Sequence, residues 1–138
     1  MATFGYLLKH AQLRFSEIAA AALAPLGISG REAAVLRAIS AQPPESQGDV
    51  ARRMDVDRTT MVTLVDDLEA KGLVRRRQDP DDRRRNVVEL TDSGRSAVSL
   101  AAEATARAER EFLRPLSAAE AERFRRSLQA LLDDNVGA

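Results

Sequence analysis

From Thr3 to Leu23 the apolar positions Leu7, Leu8, Ala11, Phe15, Ile18, Ala22 and Leu23 follow helical spacing, and Pro25 with Gly27 ends the run. Ser29 with Glu32 three residues on has the form of a capping box, and Ala33, Val35, Leu36 and Ile39 give a second helix its apolar face before Pro43-Pro44 breaks it. A short third helix starts at Ser46, with Asp49 at the matching position and Val50 and Met54 turned inward. After a tight turn through Asp55 and Val56, Asp57 caps a fourth helix, whose Met61, Leu64, Val65 and Leu68 form one buried stripe. That stripe leaves Arg58, Thr59, Thr60 and Thr63 facing out.

The period then changes. Gly72 closes the fourth helix, and Leu73 to Gln78 and Asn86 to Thr91 read as two strands around a turn at Asp79-Pro80-Asp81-Asp82. Helical spacing resumes with Val98, Ala101, Thr105, Ala108 and Phe112, behind a cap at Thr91 or Asp92; Asp92 to Phe112 would span about 31 Å at the helical rise. Arg114-Pro115 interrupts it, and Ser117 with Glu120 opens a last helix bearing Ala121, Phe124, Leu128, Leu131 and Leu132. The order helix, turn, helix, hairpin from Ser46 to Thr91 is that of a winged helix-turn-helix. The fold class expected is therefore mainly α with a small β-hairpin wing.

Charge sharpens this picture. Between Arg75 and Arg85 there are six arginines against three aspartates, a local excess of three positive charges in a chain of zero formal net charge. Phosphates respond to the nearest patch rather than to the net charge, so this asymmetry is the electrostatic footprint of a nucleic-acid binder. The 138 residues, 44% hydrophobic and 30% charged, suit one globular domain with one core. No apolar run approaches the roughly 18 residues of a membrane span and no cleavable leader opens the chain, so a cytoplasmic protein without membrane contact is expected. With no cysteine and a single histidine, neither a disulfide nor an ordinary protein-only zinc site is expected, and no cofactor. There is no Gly-x-Ser-x-Gly, no Gly-rich phosphate loop and no histidine-pair motif, so the sequence does not read as an enzyme.

Gly72-Leu73-Val74, Arg76, Asp79-Pro80 and Asp82-Arg83-Arg84 running to Leu90-Thr91 together resemble the signature of the MarR family of multiple antibiotic resistance type regulators. The specific element is Asp82-x-Arg84, five residues, then Leu90-Thr91, and Gly94-Arg95 just beyond is similar as well. The likeness runs from about Leu7 to Leu132. It implies one MarR-like domain over 1–138, with the winged module at 29–91 and dimerisation helices at 3–24 and 92–134. It further implies a homodimer that binds double-stranded DNA and regulates transcription, most often by repression, with a small aromatic or phenolic effector in many members.

The residues themselves support that reading in part. Terminal helices with apolar stripes need a partner surface, and the small Ala101, Ala104 and Ala108 would permit close helix approach. A two-fold dimer predicts a pseudo-palindromic site with half-site centres about 34 to 36 Å apart. The second helix of a helix-turn-helix enters the major groove by its N-terminal end, which puts Arg58, Thr59, Thr60 and Thr63 at base edges. Arg84 is the candidate for the minor groove, Arg83 and Arg85 for phosphates, and Arg52 and Arg53 for backbone phosphates beside the third helix. Asp82, an anion, is expected to hold a neighbouring arginine, against the alternative of a plain turn residue. Asp66, Asp67 and Glu69 at the far end of the recognition helix are expected to face away from DNA. Tyr6, His10 and Arg14 share one face of the first helix and are the effector candidates, against the alternative of a plain exposed polar face. Winged helices also act as protein-interaction modules without reading DNA, and that is the rival reading of the chain.

Overall fold

The computed structural model describes residues 1–133, so position 134 of the expected 92–134 segment lies outside them. Six helices and one hairpin follow the expected order: α1 Phe4–Leu23, α2 Gly30–Ser40, α3 Gln47–Met54, α4 Arg58–Ala70, β1 Val74–Gln78, β2 Asn86–Leu90, α5 Asp92–Phe112 and α6 Ala118–Asp133. A short 3-10 turn, Ala24–Leu26, ends α1 where Pro25 cannot continue it.

Side-chain caps set the helix starts. Ser29 and Glu32 close a reciprocal capping box on α2, at 3.1 and 2.9 Å, and Ser117 and Glu120 do the same for α6 at 3.1 Å each. Ser46 caps α3 through the Asp49 N–H, and Asp55 follows it in the left-handed region at φ 54°, giving the tight turn into α4. Gly72, at φ 74°, turns the chain from α4 into the wing in a conformation that a β-carbon would strain.

The strands are antiparallel, with Val74 opposite Leu90 and Gln78 opposite Asn86. Each is one residue shorter than expected at its outer end. Thr91 leaves the strand because its hydroxyl caps α5, accepting from Gly94 at 3.0 Å and donating to the Gly72 carbonyl at 2.6 Å. The stretch after Pro43-Pro44 is more than a linker: the Val88 N–H donates to the Glu45 carbonyl at 2.9 Å, extending the sheet by one bridge.

The core lies among α2, α3, α4, the hairpin and the middle of α5. Val35, Leu36, Val50, Val65 and Leu68 are wholly enclosed there, each worth about 1.5–3 kcal/mol by burial. Ala101, Ala104 and Ala108 were expected to allow approach of another subunit's helix. They are instead buried within the chain, where α5 runs along α1 and crosses α2. Phe15 meets Phe112 edge to face at 5.5 Å on the α1–α5 seam. The terminal helices keep apolar side chains in the open: Leu7 and Leu8 on α1, and Leu131 and Leu132 on α6, are all more than half exposed. No single helix among the described residues is long and apolar enough to cross a membrane.

Candidate nucleic-acid interface

The site is built on the N-terminal end of α4. Asp57 caps the helix through the Thr60 N–H at 2.8 Å and also accepts the Thr60 hydroxyl at 2.7 Å. These bonds, the backbone one foremost, hold the Asp57 carboxyl below the usual carboxylate range. Thr60 was expected to face out with its neighbours, but it is half-buried and its hydroxyl is committed to the cap. Arg58, Thr59 and Thr63 are exposed, with the Thr63 hydroxyl resting on the Thr59 carbonyl at 3.3 Å. Behind them Met61, Val65 and Leu68 are buried and Leu64 half-buried, the expected stripe.

The wing turn is organised by aspartates. Asp79 accepts the Asp81 N–H at 2.9 Å, and Asp82 accepts the Arg84 N–H at 3.1 Å. Asp82 was expected to hold a neighbouring arginine; among the described residues it instead orders the backbone of the tip and pairs with no guanidinium. A carboxylate two residues before an N–H makes a local turn without moving any side chain, a shorter route than reaching a flexible arginine.

The six wing arginines divide sharply. Arg75 and Arg77, on one face of β1, share Glu89 across the hairpin at 2.6 and 2.7 Å. Both guanidiniums, Arg77 foremost, keep the Glu89 carboxyl below its usual range. Arg76, on the opposite face, reaches Asp66 at 2.7 Å and Glu69 at 2.9 Å on α4, and the Gln47 side-chain oxygen on α3. Arg85 pairs with Asp49 of α3, which also pairs with Arg52. Arg83 and Arg84 alone among the six make no ion pair among the described residues, and both are exposed at the tip.

Two further expectations change. Arg53, though exposed, pairs with Glu45 and donates to the Ala38 carbonyl at 2.8 Å, so it ties α3 to the end of α2 and to the sheet edge. Asp66 and Glu69, expected only to face away from DNA, anchor the wing base through Arg76; Asp67 is exposed.

Tyr6 and His10 stack on α1 with ring centroids 4.1 Å apart, and Arg14 follows on the same helix; all three are exposed. They line neither of two cavities in the helical layer. One, of about 380 Å³, lies between α1, α5 and α6 and is walled by Leu8, Phe15, Phe112, Phe124 and Leu128. The other, of about 210 Å³, lies between α2 and α5 beside Arg37 and Thr105. The expected effector face thus points away from both, because packing and not spacing decides which face of α1 meets α5. No group of three or more metal-ligating side chains occurs among the described residues.

A helix-turn-helix followed by a hairpin whose tip carries unpaired arginines defines a winged helix-turn-helix. The family model described as MarR family matches residues 26–85. The chain is 32% identical over 133 residues to the HTH-type transcriptional repressor Rv2887 of Mycobacterium tuberculosis, 96% of each chain being covered. Among solved structures, that organism's MarR family protein Rv2887 in complex with DNA aligns with a TM-score of 0.81 at 30% identity, over 95% of this chain and 98% of that one. The PcaV transcriptional regulator from Streptomyces coelicolor aligns at 0.83 and 28% identity, over 99% and 100%. The chain belongs to the MarR family of transcriptional regulators, which are not enzymes.

Proposed function

We propose that this regulator binds duplex DNA sequence-specifically as a homodimer and acts as a repressor on a pseudo-palindromic operator. The observation that carries the reading is the placement of free charge. Internal acids match four of the six wing arginines, while Arg83 and Arg84 stay open at the tip, beyond an α4 whose exposed N-terminal end bears Arg58, Thr59 and Thr63. Arg84 would enter the minor groove as those three residues meet base edges, and Arg83 would hold phosphate. That the relative is solved in complex with DNA supports the DNA-binding reading.

The dimer reading rests on the terminal helices, where Leu7, Leu8, Leu131 and Leu132 stay exposed on surfaces that no other element among the described residues covers. An aromatic or phenolic effector fits the apolar cavity among α1, α5 and α6 better than the Tyr6, His10 and Arg14 face, and would act only by binding one spacing of the two recognition helices more tightly than the other.

Sedimentation of the protein with an operator selected from random duplexes tests assembly: two chains per duplex are expected, and Leu131→Glu with Leu132→Glu should give a monomer with weak affinity. One chain per duplex would contradict the dimer. The operator placed ahead of a reporter should silence it when the protein is expressed; a rise in output would mean activation.

A further inference from the structure

Between the start of α3, the start of α4 and the base of the wing lies a cleft of about 450 Å³ whose wall carries Arg52, Arg58, Arg76 and Arg85, together with Gln47 and Gly48. Among the described residues no carboxylate lines it. The acids that pair with three of these arginines, Asp49, Asp66 and Glu69, are not among the residues of its wall. A guanidinium has five donors in a rigid fork, so one paired with an acid keeps donors for a further partner. Arg58 makes no ion pair among the described residues at all.

Residue 48, on the wall of the cleft, is glycine. A β-carbon there would lie 3.4 Å from Arg58 Nη2 and 4.0 Å from Arg52 Nη1, so guanidiniums from two helices converge on the spot that a side chain would fill. Location adds the second argument. An element in the major groove and one in the neighbouring minor groove are separated by a single sugar–phosphate strand, and this cleft separates α4 from the wing.

We propose that the cleft seats one backbone phosphodiester of the strand that crosses between the two grooves, and that Asp49, which pairs with Arg52 and Arg85 without lining the cleft, competes with that phosphate for their donors in the free protein. The inference rests on the DNA-binding reading above and deepens it. Arg58 then holds phosphate in place of the base-edge contact given it above, which leaves base edges to Thr59 and Thr63, since its guanidinium is turned toward Gly48. Phosphate entering the cleft competes with Asp49 for two guanidiniums, to each of which Asp49 gives a single oxygen, whereas arginine–phosphate pairs are frequently bidentate. Asp49 thereby lowers affinity for duplexes of any sequence.

The test uses the full chain and a duplex enriched from a random pool, with single neutral methylphosphonates scanned along each strand. Wild type should lose about tenfold at one position per half-site, between the α4 and wing footprints. Arg58→Ala should bind about tenfold more weakly than wild type, select the same sequence, and be indifferent to the methylphosphonate at that position. Asp49→Asn, which leaves the backbone N–H that Ser46 caps, should bind several-fold more tightly with a steeper salt dependence. Equal losses for wild type and Arg58→Ala at every position, or weaker binding by a folded Asp49→Asn, would overturn the seat while leaving DNA binding intact. Micromolar binding of inorganic phosphate by the wild type, abolished by Arg58→Ala and unaffected by duplex, would assign the cleft to a free anion and overturn it too. If wild type retained no duplex at low salt, both readings would fall together.

Discussion

The Glu69 carboxylate accepts both the backbone N–H of Arg76, at 3.1 Å, and its Nη1, at 2.9 Å, so the last turn of the recognition helix is joined to the first strand of the wing. Asp66 takes the other end of the same guanidinium at 2.7 Å. These bonds fix the angle between the two elements that would enter adjacent grooves. Glu69→Ala should cost only about 1 kcal/mol of stability, because the carboxylate is substantially exposed. It should lower operator affinity by about tenfold with the salt slope unchanged. Thermal melting and fluorescence anisotropy on the same samples check this; an affinity loss no larger than the stability loss would refute the positioning role.

Lys71 donates to both oxygens of the buried Glu32 carboxylate, at 2.9 and 2.7 Å, tying the end of α4 to the first turn of α2. Burial pushes the Glu32 carboxyl up, but Lys71 and the Ser29 bonds outweigh it and leave the group below its ordinary value of 4.5. The folded state therefore binds this proton less readily than the unfolded chain. The resulting stability is complete above that ordinary value and is lost as pH falls through the lowered one. Lys71→Met should flatten the acid limb of a melting-temperature profile between about pH 5 and pH 3 relative to wild type. Parallel limbs would show that the pair is not linked to folding.

A β-carbon on Gly94 would collide with the Leu73 carbonyl, which itself accepts the Thr91 N–H at 3.1 Å. The obstacle is backbone, so α5 or the wing base has to move. Gly94→Ala should destabilise by about 1–3 kcal/mol, although alanine is the better helix former. Denaturant unfolding measures it, and a gain in stability would contradict the close approach.

Arg53 and Arg52 are neighbours with opposite expectations. Arg53→Ala removes the link from α3 to Glu45 and the Ala38 carbonyl and should lower stability by about 1–2 kcal/mol, with the salt slope of DNA binding unchanged. Arg52→Ala should do the reverse, since its side chain is 73% exposed and lines the basic cleft. Chemical denaturation and salt titration separate the two.

The helices and the wing were legible because capping residues and apolar spacing are local signals: Ser29 with Glu32, Asp57 before Arg58, and Gly72 before the strands act within a few residues. What spacing does not carry is the partner. Ala101, Ala104 and Ala108 signal close approach without saying to which helix, and the approach turns out to be internal. The same holds for charge. Six arginines in the wing are plain in sequence, but the acids that claim four of them, at positions 49, 66, 69 and 89, lie on three different elements and meet only in the fold. Thr60 and Asp82 failed as outward-facing or arginine-holding groups because short polar side chains find nearby backbone and caps first.

The most direct test of DNA reading by this fold is a salt titration of binding to pooled random duplexes, with sequencing of the retained fraction, for wild type and Arg84→Ala side by side. Wild type should enrich a pseudo-palindrome, with log affinity falling linearly with log salt. Arg84→Ala should bind several-fold more weakly, with a shallower slope by about one. Retention without any enriched sequence, or no retention by either protein at low salt, would contradict sequence-specific DNA binding and turn the wing into a surface for a protein partner.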